Sequence, residues 1–158
     1  MCAENAGQPA LTLQRLDPVI AEARVLQDWR RLSQSLNVCG NALSGLREHA
    51  QALAAYQDCV RTAWQSMASY DLALGLWNLP RALARLRRPE PALQLMGFAA
   101  AFWRERFGEL VATDQRHLVR IRRLCARQLS AARVATAWQE GERMQLPQAV
   151  ALALQPEH

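Results

Sequence analysis

The feature that most constrains this chain is an internal repeat with a period of forty residues. When the sequence is shifted against itself by that period, apolar and small residues fall on each other. The matched pairs are Leu36 with Leu76, Cys39 with Leu79, Ala42 with Ala82, Leu43 with Leu83, Leu46 with Leu86, Arg47 with Arg87, Ala52 with Ala92, Leu53 with Leu93, Tyr56 with Met96 and Cys59 with Ala99. Periods of roughly 20 to 50 residues are typical of repeat architectures. We therefore expect the two copies to share one backbone geometry.

Each copy has the pattern of two helices joined by a polar turn. In the first copy, apolar residues recur at steps of three and four on both sides of a polar segment at 47–49. The second copy has its turn at Arg88 and Pro89, and Pro91 follows near the first helical position. Pro80 predicts a kink or an irregular turn in the first helix of this copy. The residues expected in the core of the hairpins are Leu43, Tyr56, Leu83, Ala92 and Leu93.

Composition favours helices along the whole chain. Apolar residues make up 51% and charged residues 21%, and the sequence is dominated by Ala, Leu, Arg and Gln, which are strong helix formers. A chain of 158 residues is long enough for one core without disulfides or metals. The longest apolar stretches are too short to cross a bilayer, and the N-terminus lacks the features of a signal peptide. We expect an all-α, cytoplasmic protein with no membrane partner.

The repeat divides the chain into a series of expected segments. They are a flexible N-terminus at 1–10, a single helical domain at 11–154 and a tail at 155–158. The domain is expected to consist of a half repeat at 11–32, repeats at 33–72 and 73–112, and C-terminal cap helices at 113–154. The second cap helix is expected to end at Gly141 as a C-cap residue. The half repeat would expose an apolar face around 13–23, which predicts a homodimer.

The first copy of the repeat resembles the tetratricopeptide consensus. The residues that carry the resemblance are Leu36, Cys39, Gly40, Leu43, Ala52 and Tyr56. In that consensus a small residue follows a leucine in the first helix, and an alanine precedes an aromatic residue by four in the second. The second copy departs from it at Pro80 and Met96, and the period exceeds the usual length of about 34 residues. The resemblance implies a tetratricopeptide-like α-solenoid of antiparallel helix hairpins with a concave groove.

The C-terminal part resembles a larger family, the helical region of bacterial signal-transduction ATPases and of LuxR-type and SARP-type transcriptional regulators. The segments that carry this resemblance are 91–99, Trp103, 137–144, Leu146 and 149–154. The sequence contains no phosphate-binding loop motif and no recognisable helix-turn-helix. The resemblance therefore implies a sensing or docking module of a signalling or transcriptional regulator.

The groove-facing positions of the tetratricopeptide repeat supply the first candidate site. Its residues are Asn37, Asn41, Trp77, Asn78, Arg81 and Arg85. Asparagine amides bind peptide backbones, and arginines bind carboxylates. The expected partner is an acidic peptide or protein segment. An alternative places Trp77 in the core instead of the groove.

A second candidate site is a stripe of arginines on one face of the first cap helix. Its residues are Arg116, Arg120, Arg123 and Arg127. Such a face can follow the phosphates of a nucleic acid, and it can also be a solvated face opposite the apolar one. No aromatic residue interleaves with the stripe to stack on bases. All 19 basic residues are arginines, and a GC-rich coding genome also produces such a bias. The net charge of +5 is therefore only weak support for nucleic-acid binding. Nucleic acid is thus the second candidate partner.

Catalysis and metal binding are not indicated by the sequence. The four cysteines form no C-x-x-C pair, and the three histidines have no nucleophile or carboxylate at an interpretable spacing. Cys39, Cys59 and Cys125 are expected to be core residues. Trp29, Trp64, Trp103 and Trp138 are expected to pack between helices. We expect no enzymatic activity, no cofactor and no metal.

Overall fold

The computed structural model describes residues 8–156, and within that range the chain is all-α and contains no strand. The helices are α1 (Pro9–Val25), α2 (Trp29–Gly45), α3 (His49–Gln65), α4 (Ser69–Arg85), α5 (Pro89–Phe107), α6 (Ala112–Ala126), α7 (Ala131–Glu142) and α8 (Leu146–Ala153). The prediction of an all-α fold is confirmed. Helix α4 continues through Pro80 without interruption, although proline removes one backbone donor from the helix.

The first four helices share one length and one type of connection. Each spans 17 residues, and three residues join it to the next helix. A new helix therefore begins every twenty residues from Pro9 to Pro89. The forty-residue period of the sequence corresponds to two of these steps. The turns predicted at 47–49 and at Arg88 and Pro89 fall at the α2–α3 and α4–α5 connections.

The middle residue of each connection has a left-handed backbone. These residues are Gln27, Arg47, Met67 and Arg87, with φ between 54° and 64°. At the end of α3, Met67 N–H donates to the Trp64 carbonyl (3.3 Å) and Ala68 N–H donates to the Ala63 carbonyl (2.9 Å). The Ala68 carbonyl then accepts the first hydrogen bond of α4, from Leu72 N–H (2.9 Å). This Schellman arrangement recurs at all four connections and ends one helix while starting the next.

The left-handed residues predict a stabilising substitution. All four carry a side chain, and a left-handed backbone costs such a residue roughly 1–2 kcal/mol. Met67 is 88% exposed, so removing its side chain takes away little packing within one copy of the chain. We expect Met67→Gly to be about 1 kcal/mol more stable than Met67→Ala, because both remove the side chain and only glycine relieves the backbone. Urea unfolding followed by circular dichroism measures the difference, and equal stabilities would contradict the expectation.

The helices group into two compact units, one ending at Asn78 and the other beginning at Leu79. In the first unit, α2 packs against both α1 and α3. Gly40 of α2 lies against Tyr56 of α3, where an added Cβ would be 2.4 Å from the ring atom Cε1. Gly75 of α4 also lies close to α3, where an added Cβ would be 2.9 Å from Cγ2 of Val60. The predicted burial of Leu43 and Tyr56 is confirmed.

The second unit is organised around α5, against which α6, α7 and α8 pack. The closest approach is to α7 and uses one glycine from each helix. A Cβ on Gly97 would lie 2.5 Å from the Trp138 carbonyl oxygen, and a Cβ on Gly141 would lie 1.9 Å from the Gln94 carbonyl oxygen. The two backbones are therefore in direct contact. The predicted burial of Leu83, Ala92 and Leu93 is also confirmed.

Gly141 does not cap α7, contrary to the prediction. The helix continues through it to Glu142, and the C-cap residue is Arg143, with φ −93°. The position excludes a side chain because the α5 backbone occupies the space, and not because the chain turns there. A close backbone approach and a helix C-cap both favour glycine, so the residue type alone does not distinguish them.

The three predicted cap helices are present as α6, α7 and α8. The N-terminus differs from the prediction of a flexible segment at 1–10, because α1 begins at Pro9. Residues 1–7 of that segment, and 157–158 of the predicted tail, lie outside the described residues. Trp29 and Trp64 do not fill the space between helices as expected. They lie in the first turn of α2 and the last turn of α3 and are 45% and 40% exposed.

Candidate partner-binding site

The amides of the groove candidates bond to other side chains of the first unit. Asn78 Nδ2 donates to Asn37 Oδ1 at 3.0 Å, and Tyr56 donates its hydroxyl proton to Asn41 Oδ1 at 2.7 Å. Trp77 is only 7% exposed. This agrees with the alternative that placed Trp77 in the core. The groove candidates of the first unit therefore contact other residues of that unit.

The two arginines of the groove candidate lie in a different environment. Arg81 and Arg85 are exposed on α4, and in the second unit they line a cleft of about 400 Å³ together with residues of α6 and its C-cap. The other lining residues are His117, Arg120, Ile121, Arg123, Leu124 and Arg127. We call this the basic cleft. It combines two arginines of the first candidate site with three of the four arginines of the second, and Arg116 is outside it.

Helical spacing explains why these side chains line one cleft. Arg81 and Arg85 are four residues apart, and on α6 Arg120, Arg123 and Arg127 follow at steps of three and four, so each helix presents these arginines on one side. The opposite side of α6 buries Leu118, Ile121 and Cys125. The Gln128 side chain donates from Nε2 to the Ala84 carbonyl of α4 and to the Leu124 carbonyl, each at 3.1 Å. These contacts hold the two walls side by side.

The basic cleft has a concentrated positive charge. Its lining contains five arginines and no carboxylate. Ion pairs of the described residues join Arg31 to Glu22, Arg61 to Asp58 and Arg133 to Glu90, and these arginines lie outside the cleft. The distribution of charged residues along the sequence agrees. Residues 79–158 contain 13 arginines and seven carboxylates, whereas 1–78 contains six arginines and seven carboxylates. The basic excess of the protein therefore belongs to the second unit.

Arg122 and Arg133 of the second unit have partners outside the basic cleft. Arg122 lies over the ring of Trp138, with its Cζ 4.7 Å from the ring centroid, and the indole N–H donates to Glu142 at 2.9 Å. Arg133 pairs with Glu90 at 2.8 Å. These contacts stabilise α6, α7 and α5 on one another. The five arginines of the basic cleft are exposed to solvent instead.

Cys39, Cys59 and Cys125, the cysteines within residues 8–156, are not suited to nucleophilic chemistry. Burial, and then the charge of Asp71, raise the pKa of the Cys59 thiol to about 12, and burial raises the pKa of the Cys125 thiol to about 11. Both thiols are protonated at neutral pH, whereas the thiolate is the reactive form. Burial followed by the charge of Asp17 also raises the pKa of Cys39, which is only half-buried. Across residues 8–156, no three His, Cys, Asp or Glu side chains are grouped closely enough to hold a metal ion.

The helices of the described range also lack the length and apolar character needed to cross a membrane. Comparisons with protein-family models, with curated proteins and with solved structures found no match to this chain. The class of the protein is therefore defined by its own fold and surface. It is an all-α protein whose C-terminal unit contains a solvent-facing basic cleft.

Proposed function

We propose that this chain is a protein-interaction module and that the basic cleft binds an acidic segment of a partner protein. The observation that supports the proposal is the gathering of five arginines, without a neutralising carboxylate, around one concave surface. Like charges held together reduce folding stability, so such a cluster indicates selection for binding an anion. A guanidinium group binds a carboxylate through two parallel hydrogen bonds, which makes arginine well suited to this task.

The floor and walls of the basic cleft favour a protein segment over a nucleic acid. Half-buried Leu124 contributes apolar surface between the arginines, which fits an acidic segment that also carries an aliphatic side chain. Ile121 lies beneath it and is only 1% exposed. The lining contains no aromatic residue on which a base could stack. The charge would also attract an acidic partner over a distance and increase the rate of association at low salt.

This proposal changes the ligand site that the repeat pattern predicts. It retains Arg81 and Arg85 and joins them to Arg120, Arg123 and Arg127, while Asn37, Asn41, Trp77 and Asn78 act as structural residues. The twenty-residue helical step supports a tetratricopeptide-like repeat arrangement. Together with the resemblance of the C-terminal segments, it supports a docking module of a bacterial signalling or transcriptional regulator.

Charge reversal within α6 tests the proposal with a matched control. Arg120 lines the basic cleft and Arg116, one turn earlier and equally exposed, does not. The probe is a fluorescein-labelled 12-residue peptide of alternating Glu and Leu, measured by fluorescence anisotropy. We expect Arg120→Glu to weaken binding at least about tenfold and Arg81→Glu with Arg85→Glu at least about 100-fold, since a hydrogen bond to a charged group contributes roughly 1.5–3 kcal/mol. Arg116→Glu should change binding by less than about threefold, because an exposed charge outside the contact is screened.

The same assay includes two reference ligands. A peptide with Gln in place of Glu should not bind, and a 12-nucleotide single strand of DNA should bind more weakly than the Glu peptide. If the DNA binds more tightly than the peptide and Arg116→Glu weakens it as much as Arg120→Glu does, the stripe binds nucleic acid and the proposal is wrong. Thermal unfolding of the variants should match the wild type, because all four arginines are exposed.

A further inference from the structure

Two turns of the first unit expose large apolar side chains. They belong to the α1–α2 and α3–α4 connections and their flanking residues, namely Val25, Leu26, Trp29, Trp64, Met67 and Tyr70. We call these six residues the apolar end. Val25 and Met67 are more than four-fifths exposed, at 82% and 88%. Apolar side chains of this size are usually buried, so their concentration in two turns requires an explanation.

The two turns lie at the same end of the first unit. Successive helices are antiparallel where three-residue turns join them, so the start of α2 and the start of α4 are neighbours. Ser33 Oγ donates to Asp71 Oδ2 at 3.1 Å and links these two helix starts. Arg30 and Tyr70, from the two helices, line the same depression of about 330 Å³. The six residues therefore belong to two turns whose helix starts are linked, and we treat them together as one patch.

The size of the patch is that of an interface. The six residues are between 40% and 88% exposed. Backbone and polar atoms included, they present on the order of 700 Å² of surface, comparable to the roughly 300–600 Å² of the largest apolar patch on a typical monomer. One side of a standard interface buries about 800 Å². The apolar end alone is thus close to the area that a stable protein contact requires.

Charge favours a second copy of this chain as the occupant. The unit that carries the apolar end, 1–78, has a formal charge of −1, so its own net charge opposes self-association little. Two copies that meet through their apolar ends bring nearly neutral regions together. The rim contains both signs, with Arg24 and Arg30 beside Glu22 and Asp28. A two-fold axis can therefore place unlike charges opposite each other, as a self-complementary interface requires.

We propose that the protein forms a C2 homodimer through the apolar end. This contact differs from the one expected on the apolar face of α1, where Ala23 is fully buried and Ile20 packs on the core that includes Leu32 and Leu36. The proposal does not depend on the basic cleft, whose arginines all lie in the other unit. Loss of peptide binding and loss of dimerisation can therefore be observed separately.

The twenty-residue step supplies a matched pair of variants. Leu26 and Leu46 are the C-cap residues of α1 and α2, both are exposed, and they lie at opposite ends of the first unit. Sedimentation equilibrium from about 1 to 100 µM measures the dimer dissociation constant of the full chain. We expect a wild-type dimer in this range, a dissociation constant raised at least about 100-fold by Leu26→Glu, and a change below about threefold for Leu46→Glu.

A second variant separates loss of contact from loss of folding. Met67→Asp alters the other turn at a position that is 88% exposed, and aspartate tolerates a left-handed backbone. It should also dissociate the dimer while its circular dichroism stays that of the wild type. A wild-type protein that is monomeric at 100 µM overturns the proposal, and so does a dimer that Leu46→Glu weakens as much as Leu26→Glu.

Discussion

Gly141→Ala is expected to lower the free energy of unfolding by about 3 kcal/mol or more, the upper part of the range for overpacked positions. The added Cβ would lie 1.9 Å from the carbonyl oxygen of Gln94, 2.7 Å from its carbonyl carbon and 2.9 Å from its Cα. These are backbone atoms of α5, so no side-chain rotation relieves the clash. Helix α7 has to move away from α5, and their packing along the shared face is lost.

The sign of this effect is diagnostic, because helix propensity alone predicts the opposite. Alanine in a helix is favoured over glycine by about 1 kcal/mol. Gly45 provides the control, since it is exposed at the end of α2 and a Cβ there would meet only the Pro9 side chain, at 3.2 Å. We expect Gly45→Ala to be neutral or slightly stabilising in urea unfolding. Similar stabilities for the two variants would show that α5 and α7 are not in backbone contact.

Tyr56→Ala is expected to cost about 4 kcal/mol, because it leaves a cavity where a buried aromatic ring packs. Tyr56 is 2% exposed, and its ring covers Gly40. Tyr56→Phe should cost about 1 to 2 kcal/mol, since it keeps the ring but removes a hydroxyl that bonds to Asn41 Oδ1 and to the Ser44 hydroxyl. Asn41 is exposed and can bind water instead, whereas Ser44 is buried. The difference between the two variants separates the ring from the hydroxyl.

A double-mutant cycle tests the proposed contact between Tyr56 and Gly40 directly. Gly40→Ala should be destabilising in the wild type, where its Cβ meets the ring, and close to neutral in Tyr56→Ala, where the ring is gone. The coupling energy should therefore be at least about 1 kcal/mol, as found for residues in direct contact. Additive costs would contradict the packing described for α2 and α3.

The helices and their turns could be predicted because the signals are local. The apolar steps of three and four around Leu43 and Leu83 define helix faces, and the polar segments between them define turns. The sequence does not reveal the twenty-residue step, because its left-handed residues are Gln27, Arg47, Met67 and Arg87 and not glycines. Cap hydrogen bonds are made by backbone groups, so they leave little trace in the residue types.

The candidate site could be predicted only in part. The arginines of α4 and of α6 were each recognised, but as two competing sites. Trp77 and the asparagines follow the groove positions of the tetratricopeptide pattern, yet Trp77 is buried and the amides bond within the first unit. A pattern of positions does not reveal which polar groups find partners inside the fold.

Local pattern alone establishes that this chain is helical and where its hairpins turn. It also predicts that Leu43, Tyr56, Leu83 and Leu93 are buried. Helix periodicity and turn chemistry act over a few residues, so they can be read without knowledge of the fold. The role of Gly141 and the joining of Arg85 to Arg120 depend on residues more than thirty positions apart in the sequence. Such contacts are decided by how α5 and α7, or α4 and α6, pack in space, because only packing determines which backbone fills a gap and which charges share a cleft.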